Sequence, residues 1–407
     1  MLAVTRSRAL EVGLFRLALV IAVTIVVAVA PGAAHARSLF SQYNVEARTF
    51  DVYWISGNQH VNVFWYDGNW HWGDITAATG SPVAAANSAI SGTSLNSIAR
   101  TSEAYYVGTN QHVYVLWFDS RLAWFYADLT ASIGAPLAAQ GTALAAASPG
   151  TVSQTAQLYF ISTAQHVCKL FYDGAWHWED ASAAAGAPNA VAGSALSVNS
   201  KVVNTPAETY YVDANQHLLR LWFDTSWRFS DLSASTGGGN VASGSALDNA
   251  LNGIANTMEV YFTGPDQNTH LLWRAVGSSG AVGPWNSGGP LNATAGGPGA
   301  SISGGISSSV VPQAGTLEIY YVTPDQNVGQ FLYNGSWSNG GPKGLTGPTS
   351  APLVAVTSGV SSQYNSIART SEVYVLGANL HYQIFWYNGV WHYSDLTAAT
   401  GAPLALP

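Results

Sequence analysis

The chain of 407 residues is 48% hydrophobic and 12% aromatic but only 9% charged, and its formal net charge is −8. An ordinary globular domain is about 25% charged. This composition excludes disorder, which goes with charge and few aromatics, and a coiled coil or helical bundle, which needs Lys, Glu and Leu. Electrostatic nucleic-acid binding is excluded too, because 14 Lys and Arg against 22 Asp and Glu build no basic patch.

Taken in chain order, residues 1–36 read as a secretory signal peptide. Arg6, Arg8 and Arg16 form the basic start, and an apolar run extends from Leu17 to Ala30. Pro31 and Gly32 break the run, and Ala34-His35-Ala36 has the small-x-small cleavage pattern, which places cleavage after Ala36. The run is short for a membrane span, which takes about 20 apolar residues. The expectation is an exported chain of residues 37–407 with net charge −10 and one cysteine, Cys168, so no internal disulfide forms. Cys168 reads as a small core residue.

From residue 37 onward one unit recurs seven times. Its marker positions are Gln59, Gln111, Gln165, Gln216, Gln267, Gln326 and Leu380, spaced 51 to 59 residues apart. Seven such units fill the exported chain and leave no room for a separate catalytic domain. Each unit holds four strand-like runs. In the second copy they are Thr93–Ala99, Glu103–Gly108, His112–Asp119 and Trp124–Leu129, separated by turn signals. Four strands per repeat of this length is the pattern of a β-propeller blade, so the fold class is all-β, a seven-bladed β-propeller with four antiparallel strands per blade. The expected blades are 38–86, 87–141, 142–193, 194–244, 245–300, 301–354 and 355–407. The start Ser41-Gln42-Tyr43-Asn44 resembles Ser362-Gln363-Tyr364-Asn365 of the seventh copy. Each blade is therefore expected to use four consecutive strands, with blade one packing face to face on blade seven.

Four columns of recurring residues carry the functional question. A Trp opens the fourth run in every copy: Trp70, Trp124, Trp176, Trp227, Trp285, Trp337 and Trp391. Trp285 and Trp337 read as packing residues. For Trp70, Trp176, Trp227 and Trp391, which have polar neighbours, packing and a stacking platform for a sugar ring both stay open. The turn histidines His60, His112, His166, His217 and His381 are spread one per blade, too far apart for one metal ion, and are expected to bond backbone. Asp74, Asp128, Asp180, Asp231 and Asp395 are expected to accept from the backbone of the turn that follows. The second run holds an acidic column, Asp51, Glu103, Glu208, Glu259, Glu318 and Glu372, with Gln157 in the third copy. Arg48, Arg100 and Arg369 stand three residues ahead of three of these acids. Two readings stay open for them: a brace between strands, or a clamp for sugar hydroxyls built by Arg with Glu103, Glu208 or Glu372. No nucleophile, zinc, P-loop or calcium motif is present, and the acids are dispersed singly.

The unit Tyr-Tyr-Val…Asn-Gln-His-Val…Leu-Trp-Phe-Asp…Trp…Asp-Leu-Thr…Gly-Ala-Pro resembles the blades of bacterial seven-bladed propeller lectins of the Photorhabdus luminescens lectin type. More distantly it is similar to six-bladed fungal fucose lectins. The resemblance implies fucose-like or methylated sugars bound between adjacent blades. It departs from the pattern where such blades carry Glu in the third run, since this chain has Val63, Val115, Lys169, Arg220, Leu271, Gln330 and Ile384. In two copies Lys169 and Arg220 are expected to pair with Gln157 and Glu208. The fungal lectins also use an Arg in the second run, where this chain mostly has an acid, so their sugar contacts do not carry over.

The reading is a secreted, multivalent carbohydrate-binding protein, not an enzyme, with no cofactor and no metal. Its partners are glycans or glycoconjugates, not nucleic acid; no membrane insertion follows signal removal, and a homo-oligomer is compatible. Sites are expected in clefts among copies 7, 1, 2, 3 and 4, with copies 5 and 6 weak or empty. The rival readings are a protein-interaction or envelope scaffold and, behind it, a polysaccharide-active enzyme using the central channel.

Overall fold

This computed structural model of the protein describes residues 38–148, 156–199, 207–277 and 280–405. The signal-peptide expectation for 1–36 lies outside the described residues. Among the described residues no helix is long and apolar enough to cross a membrane.

Blade 1 sets the pattern. Its strands β1 (Leu39–Asn44), β2 (Thr49–Ile55), β3 (Val61–Tyr66) and β4 (Trp70–Asp74) pair antiparallel in that order, and a single helical turn, α1 (Ile75–Thr79), follows. Six more four-stranded sheets repeat this order, the last made of Val360–Asn365, Thr370–Leu376, Tyr382–Tyr387 and Trp391–Asp395. The chain folds as a seven-bladed β-propeller. First strands of neighbouring blades lie side by side around the ring, and β1 touches both Ile90–Asn96 of blade 2 and Val360–Asn365 of blade 7. Second strands are buried along nearly their whole length, which explains their Val, Tyr, Phe and Trp content.

In blade 2 the strands run Ile90–Asn96, Thr101–Val107, Val113–Asp119 and Trp124–Asp128. The first begins earlier than the sequence suggests and stops at Asn96, because that side chain turns the chain: Asn96 Oδ1 accepts from Ala99 N at 3.2 Å and its carbonyl from Arg100 N at 2.7 Å. The segment after the fourth strand, read from sequence as a turn, is a short helix in every blade. A left-handed glycine ends it in five of them: Gly80, Gly134, Gly186, Gly237 and Gly401 have φ of 63–70°, where a Cβ is disfavoured.

The marker glutamines have a backbone role. Gln59, Gln111, Gln165, Gln216, Gln267, Gln326 and Leu380 all adopt positive φ at the turn between second and third strands. Each offers its carbonyl to the segment leaving its own blade, from Ala84 N onto Gln59 O at 2.9 Å through to Ala405 N onto Leu380 O at 3.1 Å. Leu380 serves as well as Gln because the side chain is not what bonds. The leaving segment then hooks the next blade. Ala85 N donates to Val107 O, and Ser88 Oγ accepts from Val107 N, both at 2.8 Å.

No strand is exchanged between the ends of the ring. Blade 7 meets blade 1 face to face. Ser41 N donates to Ser361 Oγ at 3.0 Å, Gly57 N donates to Leu404 O at 3.1 Å, and Trp54 packs on Tyr382 with ring centroids 4.7 Å apart.

Candidate functional site

The acidic column is buried and internally bonded. Glu103, Glu208 and Glu372 are 3%, 1% and 3% exposed. Glu103 accepts from Asn96 Nδ2 at 2.9 Å, Thr101 Oγ1 at 2.8 Å and the Tyr105 hydroxyl. Glu372 accepts in the same way from Asn365, Thr370 and Tyr374. Alternate residues of a strand share a face, so Thr, Glu and Tyr at spacing two meet on one side. The motif Thr-x-Glu-x-Tyr was legible in the sequence and is the signal for this saturation. Burial pushes the carboxyls of Asp51, Glu103, Glu259 and Glu318 upward, and that of Glu372 to about 7.

Arg48, Arg100 and Arg369 do not join these acids. All three are exposed at the turn between first and second strands, in the left-handed region at φ 59°, 57° and 58°. Among the described residues none of the three forms an ion pair with a carboxylate, so the Arg–acid pairing on which both open readings, brace and clamp, were built is not formed. The turn points Arg outward while the strand turns Glu inward.

The Trp column forms wedges between blades. Trp124 meets Tyr53 of blade 1 edge-on, with centroids 5.9 Å apart. Trp176 meets Tyr105, Trp285 meets Tyr210, Trp337 meets Tyr261, Trp391 meets Tyr320, and Trp70 closes the ring on Tyr374. Trp227 packs in one cluster with Tyr159 and donates to Glu179 of blade 3 at 2.9 Å. Trp70, Trp176 and Trp391 are half-buried, whereas Trp227 is 9% exposed.

Between blades 1 and 2 the wedge leaves a cleft of about 330 Å³. Blade 1 contributes Asn44, Ala47, Thr49, Asp51, Val63 and Trp65, and blade 2 contributes Phe118, Leu122 and Trp124. Trp65, Phe118 and Trp124 are its aromatic lining residues, and Asp51, only 2% exposed, is its acid. Asp51 accepts from Asn44 Nδ2 and the Tyr53 hydroxyl, each at 2.8 Å, and from Thr49 Oγ1 at 2.6 Å. Arg48 sits in the chain between two lining residues. Asp51 is one carbon shorter than the Glu of five other copies. The blade 2 hairpin Asp119–Trp124 is two residues longer than Asp67–Trp70, and it brings forward Leu122, which is 70% exposed. The sequence reading named neither Trp65, Phe118 nor Leu122; the longer hairpin was the available signal.

Other seams differ in what meets the acid. Arg220 binds Glu208 through two nitrogens at 2.7 and 2.5 Å, as expected for that pair. Lys169 lies over the rings of Phe171 and Trp227, at 4.8 and 5.6 Å from their centroids. Gln330 donates to Glu318 in blade 6.

The turn histidines correct the sequence reading. Their rings bond side chains, not backbone: His60 Nδ1 lies 2.6 Å from Asp74 Oδ2, and His112, His166, His217 and His381 meet Asp128, Asp180, Asp231 and Asp395 in the same way. The other oxygen of Asp74 caps α1, accepting from Ala77 N at 2.8 Å. Among the described residues no group of three metal-ligating side chains gathers. Asp74→Ala removes a helix cap and the partner of His60 together. It should lower unfolding free energy by about 1–2 kcal/mol in a denaturant titration while leaving ligand binding unchanged.

No protein-family model and no curated protein sequence matches this chain. Solved structures do. A lectin of Burkholderia pseudomallei, BP39L, is 17% identical with a TM-score of 0.70, covering 88% of this chain and 98% of its own. The lectin SapL1, solved in complex with alpha methyl fucoside, is 13% identical with a TM-score of 0.51, covering 92% and 98%. AofleA from Arthrobotrys oligospora is 14% identical with a TM-score of 0.52, covering 90% and 87%. What these likenesses show is the fold. The propeller is one that lectins use.

Proposed function

We propose that the protein is a secreted carbohydrate-binding propeller of the Photorhabdus lectin type that holds sugars between blades without catalysis. The observation that carries this reading is the blade 1–2 cleft, which Trp65 and Trp124 line from two blades. An indole face suits the C–H face of a sugar. The mainly apolar wall favours a deoxy or methylated ring, as in fucose-like sugars. Trp70, Trp176 and Trp391, half-buried, are the related positions at seams 7–1, 2–3 and 6–7. Several such sites on one rigid ring raise avidity for a glycan-coated surface.

A glycan array with monosaccharide competition tests the reading. Trp124→Ala should weaken binding at this cleft by about tenfold or more, corresponding to a lost stacking contact, while Trp124→Phe keeps the wedge and much of the affinity. Blank arrays together with flat calorimetry for fucose and galactose overturn it.

The burial of Glu103, Glu208, Glu372 and Trp227 favours the second reading, a scaffold that binds protein. That reading expects a partner in pull-downs that no sugar displaces.

A further inference from the structure

The seam between blades 4 and 5 departs from the others at two positions. The third-strand residue paired with the Tyr two places after the acid is Val63 in blade 1 and Val115 in blade 2, but Arg220 in blade 4. The residue that faces the preceding blade at the end of the third strand is Tyr66, Phe118, Tyr172, Phe223, Tyr333 or Tyr387 elsewhere, but Arg274 in blade 5. Both substitutions bring guanidinium groups to one carboxylate. Arg274 Nη2 lies 2.5 Å from Glu208 Oε1, the oxygen that also accepts from Arg220 Nη2.

The cluster is nearly closed to solvent, with Arg220, Arg274 and Glu208 side chains 12%, 3% and 2% exposed. The other described arginines, Arg48, Arg100, Arg121, Arg228 and Arg369, are exposed. Two guanidinium groups against one carboxylate leave one positive charge uncompensated where charge is costly to bury. Two donors in the seam also lack acceptors: Arg274 Nε and Trp285 Nε1 are buried without a hydrogen-bond partner. The guanidinium carbon of Arg274 is 5.1 Å from the Trp285 ring centroid, so the two unsatisfied N–H groups belong to one locus. Arg220, the most exposed member, lies 3.9 Å over the Trp222 ring. An excess positive charge, unsatisfied donors and two indoles call for an anionic group on a ring-shaped ligand.

We infer that the seam between blades 4 and 5 takes the carboxylate of an acidic sugar, which enters beside Arg220, the most exposed of the three charged groups. The inference rests on the carbohydrate-binding reading and assigns this seam a different ligand class from the blade 1–2 cleft. A planar carboxylate matches the guanidinium fork and cancels the charge, whereas a neutral hydroxyl does only the first part poorly.

The test compares the full chain with two variants that restore what other blades carry. Arg274→Phe gives blade 5 the aromatic wall of blade 2 and leaves Arg220 paired with Glu208. Arg220→Val gives blade 4 the residue of blades 1 and 2 and leaves Arg274 paired. Cooperative thermal unfolding establishes that each folds. Calorimetry then uses the methyl glycosides of glucuronate, galacturonate and N-acetylneuraminate, with methyl glucoside, methyl galactoside and methyl fucoside as neutral probes and sodium acetate as a free carboxylate.

The expected result is binding of at least one acidic glycoside, weakened by salt and at least about tenfold weaker in either folded variant. Methyl fucoside binding should be the same in all three proteins. Neutral sugars bound with no acidic glycoside overturns the inference and leaves the carbohydrate reading standing. No sugar bound at all overturns both. Acidic glycosides bound equally by the variants, or no more tightly than acetate, overturn the assignment of this seam to an acidic sugar.

Discussion

Trp54→Ala is expected to lower the unfolding free energy by about 3–5 kcal/mol, the cost of emptying a large buried aromatic site. Trp54 is fully buried at the seam that closes the ring. Its ring lies 5.3 Å from Phe64 in its own blade and 4.7 Å from Tyr382 in blade 7. The corresponding residues of other blades are smaller: Tyr106, Phe160, Tyr211, Phe262, Tyr321 and Val375. The largest side chain thus stands at the one seam whose two blades come from opposite ends of the repeat array. With no strand exchanged there, packing and the hydrogen bonds of Ser41 and Gly57 carry closure. Trp54→Phe keeps the stacked geometry and removes an indole N–H that is buried without a partner, so its cost should stay below about 1.5 kcal/mol. Denaturant unfolding of both variants checks this. An alanine variant as stable as the parent would show that the seam is held by other contacts.

Stability should also fall as pH rises through the weakly acidic range, opposite to the usual carboxylate behaviour. The Glu372 carboxyl, buried between blades, is raised from 4.5 to about 7. Between those values the folded chain holds a proton that the unfolded chain has released. Folding is then opposed more strongly as pH rises, and the stabilising contribution is complete only below 4.5. At about 1.4 kcal/mol per unit, Glu372 alone contributes about 3 kcal/mol between pH 4.5 and 8. Asp51, Glu103, Glu259 and Glu318 are raised by the same burial and add in the same direction. Asp119, Asp224 and Asp266 are lowered, so their contribution is lost only below the ordinary Asp value of 3.8, outside this window. Melting temperatures should therefore be higher at pH 5 than at pH 8. Glu372→Gln should flatten the difference, and Gln157 shows that blade 3 already tolerates an amide in this column, accepting from the Tyr159 hydroxyl at 3.2 Å. A melting temperature that rises from pH 5 to 8, or an unchanged slope in the Gln variant, would contradict the account.

Much of this architecture was legible in the amino-acid order. A seven-fold repeat of four short aromatic runs leaves few folds open, because each sheet must cover both faces with another sheet. The Asp caps and the Trp wedges were legible for a related reason: each acts within a few residues of itself or through a contact repeated seven times. The burial of Glu103 and Glu372 could have been read from Thr101, Tyr105, Thr370 and Tyr374 at alternate positions. The outward turn of Arg48, Arg100 and Arg369 could not, because nothing in the local sequence announces a left-handed arginine where blade 6 has Gly315.

The repeat by itself determined the ring, its seven blades and their strand order, since period and hydrophobic pattern are local quantities. The tertiary structure decided which copies became clefts. Asp51 faces a cleft because a hairpin from the next blade overhangs it, and Glu208 holds two arginines because Arg274, 66 residues away, swings across the seam. Sites between blades are made from two copies at once, so their character depends on which differences meet. That pairing exists only when the ring is closed.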